Sequence, residues 1–446
     1  MFLEAGYEVI VVTKIFSLRT EIESDGVRII DVPFSRASLN PFRELGIIWR
    51  LRRIYAKEKP DIVYHVAFKP VLYGSLAAIW KNIPLRINAI AGMGQLFLAN
   101  TLKIRFIRWF VTFVLWLLFK DRRNILIAQN KVDQRILSKR LGLIPEQSHL
   151  VRGVGVDLNE FRPNPKTDLK TGSDSLKGDS NPSLEPTPAQ GLTPFSGPDQ
   201  PAHSKTGSDL KTGSDPLKDN PITKNNSLSE TGLTPFSGSC SESNSNLEPT
   251  PNLGLTPFSN PDKIPTSPII TLVSRLIAEK GIHELIAASR ILKSKNIACR
   301  IWLVGDPDSG SPHHISEKQL LAWESEGLIE WREHTNDVNQ IYAQTDIAVL
   351  PSYSEGLPKS LLEACACGLP IVTTDTSGCL EVVEHNVNGL IVPVRDPVSL
   401  ASALEKLIKA PKLRDQFGRQ SHLRAETEFS SEIIIDQIKS ICRLTR

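Results

Sequence analysis

Glu355 and Glu363 stand with seven residues between them, just beyond the apolar run Ile347–Leu350 and Pro351. A short apolar run closed by a proline reads as a buried parallel strand, and the sequence from Leu361 onward reads as a helix. Glu355 then lies in a strand-to-helix loop and Glu363 within the first helical turns. Pro358 suits the first helical position, where a missing N–H costs nothing. In an open α/β sheet, ligands bind outside the carboxyl ends of the strands. The helix N-terminus there offers N–H groups and a positive dipole end to an anion. A carboxylate such as Glu363 can accept hydrogen bonds from two adjacent hydroxyls, as on a ribose. These features suit a sugar nucleotide. The competing reading is structural, because acidic residues favour helix N-termini on electrostatic grounds alone.

A second pair of residues could complete such a site. Val273-Ser274-Arg275-Leu276-Ile277-Ala278-Glu279-Lys280-Gly281 follows the apolar run Ile269–Val273. Arg275 and Lys280 would leave a strand end and approach a helix N-terminus. Two cations there suit a diphosphate, whose charge must be neutralised as it becomes a leaving group. Taken alone, an arginine and a lysine near a surface loop are common.

These residues need a scaffold of strands and helices, and the chain supplies three regions. A chain of 446 residues exceeds one ordinary core and implies more than one domain. Residues 1–163 alternate strands, at Glu8–Thr13, Val27–Val32 and Pro60–His65, with helices at Pro41–Lys59 and from Lys69. Residues 268–415 resume the alternation, with strands at Ile269–Ser274 and Arg300–Gly305 around a helix at Gly281–Lys295. Such alternation implies parallel sheets covered on both faces. The expected class is therefore α/β, with two Rossmann-like domains. A final segment, 416–446, reads as helical, from apolar spacing at Ile433, Ile434, Ile438 and Ile441. Between the domains, residues 164–267 are rich in Pro, Ser, Thr, Gly, Asn and Asp. Short units recur there, such as Lys-Thr-Gly-Ser-Asp at 170, 205 and 211. This composition cannot bury enough apolar area to offset chain entropy, so a long disordered insertion is expected.

Net charge is only +3, which gives no global field for nucleic acid. Six cysteines are scattered (Cys240, Cys299, Cys365, Cys367, Cys379, Cys442), with no zinc spacing and no disulfide framework. They read as small buried residues, and a reducing cytoplasm is favoured. The start, Met1–Thr13, reads as the end of a helix, a glycine turn and a strand, without a signal peptide.

One segment stands apart. Ile104–Phe119 is apolar and aromatic, flanked by Lys103, Arg105, Arg108, Lys120, Arg122 and Arg123. Its uncharged core, Trp109–Phe119, is too short to span a bilayer. A basic, tryptophan-rich helix suits a headgroup interface, so residues 103–123 are a candidate peripheral membrane contact. A helix packed into the first domain is the equal alternative.

The stretch Leu350–Ala364, continued by Ala366–Asp375, Gly378–Val383, Asn388–Pro393 and Arg395–Pro397, resembles the signature of retaining glycosyltransferases of family 4, which have the GT-B fold. In the first domain, Lys59–His65, Phe68–Ser75 and Asn88–Phe97 resemble transferases that build capsular polysaccharide or lipid-linked oligosaccharide. Gly153–Asp157 and Phe161 match the end of that domain. The resemblance implies two Rossmann-like domains facing a cleft. It places Arg275 and Lys280 on the donor phosphates and Glu363 on the ribose. Glu355 would lie at the donor sugar, and the backbone N–H groups of Gly356 and Leu357 would meet donor oxygens. A carboxylate near an oxocarbenium-like centre lowers its energy. No Asp-x-Asp metal site appears where a metal-dependent transferase would need one, so the resemblance implies a metal-independent reaction without cofactors. The expected partners are a nucleotide-sugar, UDP-linked, and a polyprenyl-linked or polysaccharide acceptor. The expected location is the cytoplasm, at the inner membrane face.

Two departures from the pattern stand out. Many family members carry a histidine near Gly92–Gly94, where this sequence has glycines. Family members also open with an earlier strand, so a chain begun at an internal Met, or a short protein, is expected. Two rival readings follow: a non-catalytic membrane-associated remnant, and a GT-B sugar-nucleotide epimerase. The joint presence of the glutamate pair and the arginine–lysine pair disfavours the epimerase.

Overall fold

A computed structural model describes residues 2–4, 6–14, 19–34, 41–90, 102–163, 267–311 and 313–443. The insertion at 164–266 and the glycines at 92 and 94 lie outside the described residues.

The first domain opens with β1 (Ile10–Thr13), α1 (Arg19–Ser24), β2 (Arg28–Asp31) and α2 (Pro41–Glu58). It continues with β3 (Ile62–Val66), α3 (Phe68–Trp80), β4 (Leu85–Ile90) and α4 (Leu102–Phe119). β5 (Asn124–Ala128), α5 (Lys131–Leu141) and β6 (Ser148–Leu150) complete it. β1 and β2 pair in parallel, and β3-β4-β5-β6 form a parallel four-stranded sheet. Every residue of β4 and β5 is buried, as in a parallel sheet covered on both faces; β5 reads as an apolar run after Asn124, whereas β4 buries Arg86 and Asn88 among its apolar residues.

The second domain is a six-stranded parallel sheet. Its strands are β7 (Ile269–Val273), β8 (Arg300–Val304), β9 (Glu330–Arg332), β10 (Ile347–Leu350), β11 (Ile371–Thr374) and β12 (Gly389–Val392). Their spatial order is β12-β11-β10-β7-β8-β9. The order reverses between β7 and β10, and such a switch point opens a crevice at the carboxyl ends. The helices are α6 (Ile282–Ser294), α7 (Glu317–Ser325), α8 (Val338–Tyr342), α9 (Lys359–Ala366), α10 (Ser377–Val382) and α11 (Pro397–Lys409). One core joins Ile270, Leu272, Leu285, Leu303, Val349 and Leu404, which ties the sheet to α6 and α11. Two α/β domains with parallel sheets are thus present, as the strand–helix alternation implies.

The C-terminal stretch is not one helix. α12 (Pro411–Arg424) passes through a π-turn at Ala425–Phe429 into α13 (Ser431–Arg443). Phe417, on α12, packs in the second domain's core. Ile434, Ile441 and Cys442, on α13, pack instead on Leu85, Ile87, Ile125 and Ile127 of the first domain's sheet. Val156 N–H donates to the Phe429 carbonyl at 2.9 Å, and Ser431 N–H donates to the Val156 carbonyl at 3.0 Å. The chain therefore crosses back to the first domain, and the turn is where it changes partner. Apolar spacing alone shows the helices and not that change.

Candidate functional site

The residues of interest gather at the carboxyl ends of β7 and β10. After β7 a short 3₁₀ turn, Ala278–Lys280, runs into Gly281 and α6. Gly281 has φ 73°, and a Cβ there would sit 1.9 Å from the Pro351 carbonyl oxygen. Only glycine allows the two loops to meet this closely. The Glu279 carbonyl accepts from Tyr353 N–H at 2.9 Å and from the Ser352 hydroxyl at 3.0 Å. The loop after β7 is thus sewn to the loop after β10. As a result Lys280 Nζ meets Glu355 Oε1 at 2.6 Å, and both side chains are mostly buried.

The backbone of Glu355 and Gly356 is held from two further sides. Gly378, in the first turn of α10, lies so close that a Cβ would be 2.6 Å from both carbonyl oxygens. From the first domain, Asn130 caps α5 by accepting from Asp133 N–H, and its Nδ2 donates to the Gly356 carbonyl at 2.9 Å. A Cβ on Gly153, also in the first domain, would approach Leu357 Cδ2 at 3.0 Å. The Gly356 and Leu357 segment therefore lies where the two domains meet. Among the described residues, neither of its N–H groups donates to a backbone carbonyl.

Glu363 sits on the second turn of α9 and is 6 % exposed. Lys359 meets it at 3.0 Å one turn earlier. Burial raises the Glu363 carboxyl above its usual range, against the pull of Lys359, and Glu160 across from it pushes the same way as burial. The helix starts at Lys359 and Pro358 is its N-cap, so Pro358 stands one position earlier than the sequence pattern suggests. Cys365 and Cys367 occupy the end of α9. Both are buried, and burial pushes both thiols up to about 12.

Arg275 is positioned differently. Its guanidinium pairs with Asp308, beyond β8, at 2.7 Å, and more than half of the side chain is exposed. The structure thus joins Lys280 to Glu355 and sets Glu363 on the adjoining helix, while Arg275 is engaged at the neighbouring strand end. Residues to which the sequence alone assigns no role also shape the site. Tyr353 donates to Glu284 at 2.6 Å, and Arg395 lies 4.7 Å over its ring. Glu381, on α10, accepts from Lys131 N–H at 3.2 Å and pairs with Arg152 at 2.8 Å, both from the first domain. Gly281, Gly378 and Glu381 fall inside the matching motifs, whereas Asn130 and Arg152 carry no local signal. Their role exists only once the domains meet. No group of three or more His, Cys, Asp or Glu that could hold a metal ion occurs among the described residues.

Known proteins give this arrangement a family. Residues 258–424 match the family model "Glycosyl transferases group 1", and residues 1–130 match "Glycosyl transferase 4-like". A Campylobacter jejuni protein is 24 % identical over 407 residues, covering 91 % of this chain and 83 % of its own length. It is an N,N'-diacetylbacillosaminyl-diphospho-undecaprenol alpha-1,3-N-acetylgalactosaminyltransferase. The capsular polysaccharide biosynthesis glycosyltransferase CapM of Staphylococcus aureus is 30 % identical over 39 % of this chain, and the chain spans 45 % of its length. Among solved structures, Anabaena HepE in complex with UDP superposes with a TM-score of 0.61 at 15 % identity, over 98 % of this chain and all of that one. Sucrose-phosphate synthase from Thermosynechococcus elongatus gives 0.64 at 14 % identity, over 99 % and 90 %. Two glycosyltransferase family models thus match the chain in the order of its two domains, and together with the fold of these transferases they support a family 4-like glycosyltransferase of GT-B fold.

Proposed function

We propose that this chain transfers a sugar from a UDP-sugar to a polyprenyl-linked or polysaccharide acceptor, with retention of anomeric configuration, in cell-surface polysaccharide synthesis. The observation that carries the donor side is the Lys280–Glu355 pair at the β7/β10 switch point, with Glu363 on the helix that follows. In this reading Glu363 accepts from the ribose hydroxyls. Lys280 turns from Glu355 toward the diphosphate and neutralises charge as the glycosidic bond breaks. Arg275 joins it by exchanging Asp308 for phosphate. Glu355 faces positive character at the anomeric carbon, and the N–H groups of Gly356 and Leu357 meet donor oxygens. Such interactions accelerate the reaction to the extent that they are stronger in the transition state. Two cations in this position supply the neutralisation that a divalent ion supplies elsewhere, so no metal is required. The acceptor side rests on the Campylobacter relative, whose name specifies an undecaprenol-linked acceptor.

Calorimetry with UDP on the parent chain and on Glu363→Ala tests the donor assignment. A hydrogen bond to a charged group contributes roughly 1.5–3 kcal/mol, so affinity falls about ten- to hundredfold. Equal affinity for both proteins removes Glu363 from the site. Turnover of a UDP-sugar that persists in chelator supports metal independence, and its loss in chelator refutes it.

A further inference from the structure

The aromatic helix α4 resolves its two sequence readings by doing something on each face. Leu115, Leu118 and Phe119 are buried against Val71, Ile90, Leu126 and Leu137 of the first domain. The opposite face is exposed. Phe106, Trp109, Phe110, Phe113 and Leu117 are all open to solvent, with Trp109 at 62 %. Helical spacing aligns the rings into a ladder. Phe106 and Trp109 centroids are 6.0 Å apart, and Trp109–Phe113 and Phe113–Trp116 are stacked at 5.9 Å. The Lys120 ammonium caps the ladder, 3.9 Å over the Trp116 ring. A contiguous apolar face of this kind on a folded domain marks an interaction surface.

Charge identifies what the surface meets. Between residues 102 and 123 there are six cations and one acid. That acid, Asp121, is engaged by Arg123 and by the fully buried Arg86, each at 2.8 Å. Arg105, Lys120 and Arg122 are exposed beside the rings, so the edge of the apolar face is cationic. A second helix repeats the composition. α2 exposes Leu45 and Trp49, with Arg52 4.9 Å over the Trp49 ring and Arg53 on the exposed side. Both α2 and α4 pack on α3. Among the described residues no helix is long and apolar enough to cross a membrane. We propose that the outer face of α4, aided by α2, docks on an anionic lipid surface. The rings enter the headgroup boundary, where amphipathic aromatic side chains concentrate, and the cations meet lipid phosphates. This inference stands on the first domain and holds whether or not the donor assignment does.

Flotation of the full chain with lipid vesicles tests it. One set is phosphatidylcholine alone, and the other is equal parts phosphatidylcholine and phosphatidylglycerol. The chain co-floats with the anionic vesicles, weakly with the neutral ones, and added salt weakens binding. Trp109→Ser/Phe113→Ser loses at least about tenfold in partitioning, given the apolar area of two rings. Arg105→Glu/Lys120→Glu loses at least about fivefold per cation removed. These side chains face solvent, so the variants keep the parent's melting temperature. Val398→Ser, an exposed apolar site in the second domain, binds as the parent does. Three results overturn the proposal. The parent stays unbound with anionic vesicles, or both double variants float like the parent, or the chain is a dimer that Trp109→Ser/Phe113→Ser dissociates, which makes a second copy the occupant.

Discussion

At the residue scale the candidate donor site is a set of charges already spent on one another. Lys280 is held by Glu355 and Arg275 by Asp308, so a diphosphate bound as proposed would displace a carboxylate from each cation. The two displacements differ in cost. The Arg275–Asp308 pair is largely exposed, and exposed pairs contribute only about 0.2–1 kcal/mol. Asp308→Asn should therefore raise UDP affinity by up to about fivefold at low salt, an effect that calorimetry resolves and that added salt removes. Weaker binding by the variant would show that Asp308 is needed to hold Arg275 in place. Gly281 sets the other pair. Gly281→Ala forces an alanine to φ 73° and against Pro351, at about 1–3 kcal/mol for the backbone alone. The expected result is a lower melting temperature and loss of UDP binding together, because Lys280 is the preceding residue. Full UDP binding by the variant would mean that the loops can separate without consequence for the site. The chemical identities of Lys280, Glu355 and Glu363 were legible from the motif. Their partners were not, since contacts between residues 75 apart are fixed by the switch point rather than by spacing.

At the element scale, β3 and β4 carry a polar cluster inside an otherwise apolar layer. His65 Nε2 meets the Tyr55 hydroxyl at 3.0 Å, and Nδ1 meets Asn88 Oδ1 at 2.9 Å. Ser75 also donates to Asn88 Oδ1, at 2.8 Å. Gly74 makes room for the ring, because a Cβ there would lie 2.3 Å from His65 Nε2. Burial lowers the His65 pKa from 6.5 to about 4, with the hydrogen bond to Asn88 opposing and the Arg86 charge adding to the fall. A histidine held neutral in the fold but free to protonate when unfolded stabilises the native state above the unfolded pKa. That contribution is lost as pH falls from 6.5 toward 4. Its size is about 3 kcal/mol, from roughly 1.4 kcal/mol for each tenfold change in proton affinity. Thermal or denaturant unfolding at pH 7 and pH 5 checks this. The parent should lose stability over that interval, and His65→Gln should be less stable at neutral pH with a flatter acid dependence. Parallel curves for the two proteins would assign the acid sensitivity to another group. Strand and helix positions in this region follow the sequence to within two residues, as at α2 and β3. The histidine's burial did not follow, because a strand beginning Asp-Ile-Val-Tyr-His gives no sign of which face α2 and α3 will cover.

At the scale of the whole molecule, the two domains share a polar seam and an exchanged helix. Glu381 uses both carboxylate oxygens across the seam, one on Lys131 N–H and one on Arg152. Arg152 also reaches Glu428 at 3.5 Å, in the π-turn that sends α13 back onto the first domain. The motifs gave the two domains separately, and nothing in either motif encodes the seam between them. Its energetic weight is testable. Arg152 and Glu381 side chains are 18 % and 6 % exposed, so removing one partner strands a charge in a poorly hydrated place. Breaking a buried pair costs about 3–5 kcal/mol, and the remaining Glu428 contact sets the expected loss for Glu381→Ala at the lower end, ~3 kcal/mol. Because that loss falls between the domains rather than within either core, it should uncouple them. The parent should unfold in one cooperative transition, and Glu381→Ala should show two, or one markedly broadened transition in calorimetry. Glu381→Gln keeps an acceptor for Lys131 N–H and should fall between the two. A single sharp transition in Glu381→Ala at the parent's temperature would leave the α13 crossover, with Ile434 and Ile441 on the first domain's sheet, as the coupling that holds the domains together.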